Sequence, residues 1–480
     1  MSTSTVTPTS SRARVRGAIG RARASRWAAL PIVLAGTFMV VLDFFIVNVA
    51  LPSMQAHLHA SAGSVEWVVA GYGLTSAVFL ISGSRLGDRC GRRRLFACGL
   101  ALFTLASAGC GVAPSATALV IARVAQGVGA AMLMPNVLAL IGALYEGPDM
   151  LRALSAYGMV MGLAAVGGQL LGGALLAADP AGLEWRSVFL INIPIGLGAL
   201  ALVRSLVPES RSGTGGRIDI AGTTLVTATV TAIVLPLVEG RAHGWPPWTW
   251  LSFGAAPLLL AAFASQQRRL ASRGGEPMLA PALFRSRAFT AGLAGQLVFW
   301  SGQASFFLVL SLYLQEGRGM SALHSGLVFT ILAVSYLATS LRAPAMTALH
   351  GRRVLVIGAL ALAAGHALLL GAVVLIGTGG SALALTPGLI LAGAGMGLVI
   401  TPLATLVMGS APPEHVGSVS GVLATAQNIG SAIGVAGIGA IFYGALHHGF
   451  AVAFERGVGT LAVVLLVVVA LTRLLPARVR

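Results

Sequence analysis

The sequence predicts an all-helical protein that crosses a membrane many times. Of its 480 residues, 56% are hydrophobic and 9% are charged, more apolar surface than a soluble core needs. Uncharged runs of about 18–25 residues, enough to cross a bilayer, recur along the whole chain and exclude a globular enzyme with one anchor. Lipid leaves backbone groups no outside partner, so each run is read as a helix.

Charge placement supports this reading. The chain carries 31 basic and 14 acidic residues, and every basic residue is Arg. So much positive charge raises the question of nucleic acid. However, 26 of the 31 arginines fall in the tails, in alternate loops on one side or at the span ends that meet those loops. Four (Arg186, Arg241, Arg318, Arg456) fall on the other side, and Arg123 lies within a span. That asymmetry predicts cytoplasmic termini and a bilayer, not a nucleic acid, as the partner.

Residues 1–28 form an Arg-rich stretch without acids, read as an unfolded cytoplasmic tail near anionic headgroups rather than a transit peptide. The first span, 29–52, holds Asp43 in LDFFIVNVALP (42–52). A mid-membrane carboxylate costs about 2.5–3.5 kcal/mol, so Asp43 is either half of a structural ion pair or a protonatable coupling site. The second span, 66–84, begins at Glu66. Before the third, 95–113, comes GSRLGDRCGRRR (83–94), with Gly83, Gly87 and Gly91 four apart among Arg85, Asp88, Arg89, Arg92, Arg93 and Arg94. A charged, glycine-hinged connection between spans suggests a moving part. Cys90, Cys98 and Cys110 are odd in number and predict no disulfide framework.

The fourth span, 117–141, contains LVIARVAQGVGAA (119–131). At 1.5 Å per residue, Arg123 lies about 9 Å and Asp43 about 14 Å below the outer edge. Arg123 therefore either pairs with Asp43 or snorkels outward. Gln126, Gly127 and Ala130 continue a small, polar stripe. The fifth span, 153–176, carries GQLLGG (168–173); Gly168 and Gly172 form a small face for close approach between halves or for ordinary packing. In the sixth, 187–205, WRSVFLINIPIG (185–196) places Asn192 and Pro194 where a helix can bend.

Spans at 219–238 and 248–266 follow, joined to their surroundings by 207–218 and 267–287. GRRRL at 91–95 then recurs as GRRVL at 351–355. Each copy follows the second span of a six-span block. This predicts two parallel six-helix bundles, 29–206 and 288–475, around a two-helix insert, 207–287, with a short tail at 476–480. The last six spans are read at 288–314, 322–343, 353–377, 385–410, 417–445 and 457–474. Gln296, Trp300, Gln303 and Phe307 share one face of the ninth span, as a ligand stripe or a buried seam. Gln126, Asn192, Gln427 and Asn428 join them as substrate-cavity candidates, with Gly393, Gly397, Gly430 and Gly434 as close-packing positions. His366 lies mid-span, packed or titrating. Trp67, Trp185, Trp245, Trp248 and Trp250 near span ends read as an aromatic belt.

No HExxH, GxSxG, Walker loop or metal-ligand cluster is found. The chain is therefore read as no enzyme, with no metal and no cofactor, driven by an ion or solute gradient.

Four of these stretches, GSRLGDRCGRRR, LDFFIVNVALP, LVIARVAQGVGAA and WRSVFLINIPIG, resemble motifs of the major facilitator superfamily, and more closely its fourteen-span drug:proton antiporter branch. The resemblance covers about 29–475. It implies the major facilitator fold and alternating access between two bundles. It implies proton coupling through Asp43 and Arg123. It also implies a latch in which Asp88, assisted by Arg92, holds the loop of Gly83, Gly87, Arg89 and Gly91. GQLLGG (Gly168, Gln169, Gly172, Gly173) is similar to the branch's antiporter motif but departs from it at Gln169, where Pro is usual. Glu316, Glu414 and Glu455 lie near loops, which favours neutral or weakly charged lipophilic substrates over dications. The expected activity is proton-coupled export of lipophilic drugs, antibiotics or metabolites by a monomer in the bacterial cytoplasmic membrane. The alternatives are a uniporter or importer of a metabolite, or a non-transporting receptor or lipid-handling scaffold.

Overall fold

The computed structural model of the chain describes residues 10–211, 219–275, 277, 281–408 and 416–475. The ends of both tails, most of the 207–218 joint, part of the 267–287 joint and Glu414 lie outside the described residues. Among the described residues there is no strand, and fourteen helices are long and apolar enough to cross a membrane. In chain order the α-helices are α1 (Ser10–His57), α2 (Ala62–Cys90), α3 (Arg92–Gly111), α4 (Ala116–Leu144), α5 (Gly147–Ala178), α6 (Ser187–Leu190), α7 (Asn192–Leu206), α8 (Ile220–Ala242) and α9 (Pro247–Ser272). The second half follows with α10 (Arg287–Leu312), α11 (Ala322–Ser340), α12 (Ala343–His350), α13 (Arg353–Ile376), α14 (Thr386–Met408), α15 (Val416–Ala445) and α16 (Phe450–Thr472).

Two sequence expectations need correction. The Arg-rich tail is helical from Ser10, continuous with the first crossing; Ala and Arg are both strong helix formers. The sixth crossing bends where Asn192 and Pro194 suggest: it is split into α6 and α7 at Ile191, because Pro194 has no N–H to give the Leu190 carbonyl. Trp185 does not sit in an aromatic belt. It is fully buried, edge-on to Phe189 with ring centroids 6.2 Å apart. Trp245, Trp248 and Trp250 are exposed, as a belt requires.

The internal repeat is deeper in three dimensions than the GRRRL pair suggests. Tyr72-Gly-Leu-Thr-Ser76 of α2 crosses α4 at Gly127, and Tyr336-Leu-Ala-Thr-Ser340 of α11 crosses α14 at Gly397. A Cβ added at either glycine would meet a tyrosine carbonyl at 2.6 Å, that of Tyr72 or of Tyr336. Thr75 donates to the Val124 carbonyl at 3.1 Å, and Thr339 to the Ala394 carbonyl at 3.0 Å. Gly91 and Gly351 both turn with positive φ, 108° and 57°.

The inserted α8 lies across the seam between α2 and α15. Val230, Val234 and Val238 pack with Ala70, Leu74 and Val78 of α2 and with Ala432 and Ala436 of α15. Polar ties fasten both ends of α8 to α2: Trp67 donates to Glu239 at 2.9 Å, and the Ser82 and Thr223 hydroxyls share a bond at 3.1 Å.

Candidate functional site

The site is a buried charge pair between α1 and α4. Asp43 and Arg123 have no solvent exposure, and Arg123 Nη1 donates directly to Asp43 Oδ2. Each charge is also hydrogen-bonded by neutral groups, as a buried pair must be. The Gln126 amide donates to Asp43 Oδ1 at 2.8 Å, and its own oxygen accepts from Arg123 at 2.7 Å. Asn192 donates to Asp43 Oδ1 at 3.3 Å and to Ser107 Oγ at 3.0 Å. Arg123 Nε donates to the Val68 carbonyl at 2.9 Å, and its guanidinium lies 4.2 Å from the centroid of the Tyr72 ring. Cys110 donates weakly to Gln126 at 3.6 Å. The five elements α1, α2, α3, α4 and α7 thus converge on one carboxylate. Gln126 and Asn192, expected on a substrate cavity, are buried partners of Asp43 instead.

The loop after α2 is organised around a second set of charges. Arg92 pairs with Asp88 at 2.8 Å, one helical turn away, and donates to the Ala139 carbonyl near the end of α4 at 3.3 Å. Gly83 and Gly87 allow α2 to lie against Ala131 and Asn136 of α4, where a Cβ would overlap them. Glu209, which sequence reading did not single out, accepts from the Arg93 backbone N–H at 3.0 Å and lies 3.6 Å from the Arg93 and 3.7 Å from the Arg94 side chains. Arg89 is exposed.

GQLLGG divides between two partners. Cβ atoms at Gly168 and Gly172 would meet Phe45 at 2.8 Å and Ile46 at 2.9 Å, both of α1 in the same half. A Cβ added at Gly173 would meet the Ala322 carbonyl of α11 at 2.6 Å, and one added at Gly326 the Gln169 carbonyl at 2.7 Å. The seam between halves therefore runs along Gln169 and Gly173, not along Gly168 and Gly172. At 100° per residue these two pairs occupy adjacent helix faces. Gln169 is buried, and among the described residues its amide has no hydrogen-bond partner.

In α10, Trp300 donates to Gln296 at 3.0 Å. Phe307 stacks on Phe329 of α11 at 5.6 Å and meets Phe45 of α1 edge-on at 5.0 Å. Gln303 is buried with no partner for its amide among the described residues. The stripe is thus a closed aromatic seam between halves, with an unsatisfied amide one turn from it. Gln427 and Asn428 are half-buried on α15, where a Cβ added at Gly73 of α2 would sit 3.7 Å from the Asn428 carbonyl. His366 is buried against Phe306 at 4.8 Å. Two cavities flank α8: one of about 820 Å³ between α8, α2 and α4, the other of about 490 Å³ against α15 and α16. Of the residues proposed for a cavity from the sequence, Gly434 lines the smaller one, and none of the polar or aromatic candidates lines either.

Glu66 was read as marking a span entrance. It is buried, with its carboxylate carbon 3.1 Å from where a Cβ of Gly439 on α15 would sit. Tyr72, Ser107 and Glu209 were also missed. Tyr72 lay in the sequence as the one aromatic of a small-residue run, AGYGLTS (70–76).

The family model of the Major Facilitator Superfamily matches residues 33–435. The chain is similar to a probable actinorhodin transporter of Streptomyces coelicolor, 37% identical over 424 residues, covering 88% of this chain and 73% of that one. It is similar to the multidrug resistance protein Stp of Mycobacterium tuberculosis, 34% identical over 410 residues, covering 85% and 74%. Its fold is similar to that of a POT peptide transporter crystallised with sulfate, at a TM-score of 0.68 and 16% identity over 93% of this chain and 95% of that one. The chain is a multi-pass membrane protein and belongs to the major facilitator superfamily, whose members are transporters and not enzymes.

Proposed function

We propose that this transporter exports lipophilic compounds in exchange for protons. The observation that carries the proposal is the fully buried Asp43–Arg123 pair, held by Gln126 and Asn192. Protonating Asp43 removes one charge of the pair and leaves Arg123 to find other partners, which biases the bundles toward one state. Deprotonation toward the cytoplasm resets it. A substrate shifts that equilibrium only through its differential affinity for the two states. Asp88 and Arg92 latch the loop after α2, and Gln169 and Gly173 seal the far end of the seam. When the seam parts, Gln303, Phe307, Gln427 and Asn428 face the space between the halves and take a neutral or weakly charged, aromatic-rich substrate. The relatives named for actinorhodin transport and for multidrug resistance support the substrate class and the direction. The arginine distribution supports a bacterial cytoplasmic membrane with both termini inside. The site is complete within one chain, which supports a monomer.

Gln169 favours one second reading. α5 contains no proline beyond its first turn, so the bend expected of an antiporter motif has no local cause, as in a uniporter. Dye and antibiotic efflux from vesicles, with and without an uncoupler, separates the two. Asp43→Asn is expected to abolish uncoupler-sensitive efflux of actinorhodin or ethidium while the protein stays in the membrane. Wild-type efflux from that variant would refute the assignment, and efflux indifferent to uncoupler would establish uniport.

A further inference from the structure

Pro52 lies inside α1. A proline lacks the N–H that would bond the carbonyl four residues earlier, so Asn48 has a main-chain acceptor without a helical donor. The structure supplies one from the opposite half: Ser311 Oγ of α10 donates to the Asn48 carbonyl at 2.8 Å, in a fully buried contact. One turn on, Gln315 donates to the Val49 carbonyl at 3.0 Å and to Ser311 Oγ at 3.0 Å. Gln315 stands in a π-helical turn, Tyr313–Gly317, at the end of α10; such turns re-aim side chains and recur at functional positions. Asn48 is about 7 Å along α1 from Asp43, on the side away from the termini. The tie therefore lies between the level of the charge pair and that far face.

We propose that Ser311 and Gln315 are positioning residues of the transport cycle. They fasten α10 to an α1 carbonyl that Pro52 has freed, and breaking this tie opens the far face beside Asp43. The proposal rests on the two-state cycle proposed above but not on proton coupling. The bond is worth most when the face is closed, because a buried acceptor left without a donor is penalised, whereas water satisfies it once the face opens. Pro52 makes the tie reversible. It leaves the carbonyl available to the other half, where a non-proline residue would satisfy it permanently within α1.

Hydrogen exchange of the full chain in nanodiscs tests this, reading segments 48–57 and 309–317 at the far face and 83–94 at the terminal face. Ser311→Ala is expected to speed far-face exchange about 5- to 30-fold and to slow exchange at 83–94, because one face closes as the other opens. Ser311→Thr keeps the hydroxyl and is expected to restore the wild-type pattern. In a Pro52→Ala background residue 52 supplies the missing N–H, so Ser311→Ala should change little. Faster exchange at both faces would mean simple destabilisation and would overturn the proposal. So would wild-type exchange in Ser311→Ala, or an undiminished effect in the Pro52→Ala background. If the two faces never trade protection in any variant, the two-state reading fails, and the proposal with it.

Discussion

Asp43 and Arg123 each have several partners, and the partners decide what a substitution does. Arg123 uses Nε on the Val68 carbonyl and Nη1 on Asp43 and Gln126, with its flat face toward Tyr72. A lysine ammonium keeps the charge but cannot make this planar fork. Arg123→Lys is therefore expected to lower both the unfolding temperature in detergent and the efflux rate. Removing one member of a buried pair costs about 3–5 kcal/mol, whereas replacing both by neutral groups costs little. Arg123→Gln alone should melt well below the wild type, and Asp43→Asn combined with Arg123→Gln should recover most of that loss without recovering transport. A double variant that melts like Arg123→Gln alone would show that the pair does not act as a unit. The pair was legible in the sequence because an acid or a base at mid-span is rare in so apolar a chain. Its neutral partners were not: Tyr72, Ser107 and the Val68 carbonyl carry no charge to mark them.

Glycines set the contacts between elements, and their neighbours sort them. Gly127 and Gly397 hold equivalent crossings with no room for a methyl group, while Gly158 has nothing within 4 Å. Overpacking a tight site typically costs about 1–3 kcal/mol. Gly127→Ala and Gly397→Ala should each lower stability by that order, measured by thermal unfolding, and Gly158→Ala should not. Equal effects at all three would deny that the crossings are the close contacts. At Gly91 the positive φ and the Glu209 carboxylate, 2.7 Å from an added Cβ, both act. Glu209→Gln keeps the shape but removes the charge facing Arg93 and Arg94. It is expected to speed hydrogen exchange at 91–95 while leaving the Asp43 network intact, and unchanged exchange there would remove Glu209 from the latch. The helices themselves followed from hydropathy. The faces they turn to one another did not: GQLLGG reads as one small face, yet its glycines divide between α1 and α11 according to which side of α5 each neighbour occupies.

At the scale of the whole molecule, the insert is part of the machine's outer wall. α8 touches both halves along the α2–α15 seam and is tied to α2 by Trp67–Glu239 and Ser82–Thr223. A strap on one side of a seam leaves motion to the opposite side, where α5 and α11 meet at Gly173 and Gly326. The halves could be drawn from the GRRRL and GRRVL echo, but the strap could not, since nothing in the sequence of α8 says which seam it covers. Within this frame the second half has no counterpart of Arg123 at the matching crossing: α14 has Gly393 four residues before Gly397, where α4 has Arg123 four before Gly127. The proposed coupling rests on Asp43, and proton release measures it most directly. Purified protein in weakly buffered detergent solution, given a compound from the actinorhodin and ethidium panel that the wild type exports, is expected to release protons on binding. Asp43→Asn is expected to bind the same compound and release none. Equal proton release from the two proteins would contradict the central claim.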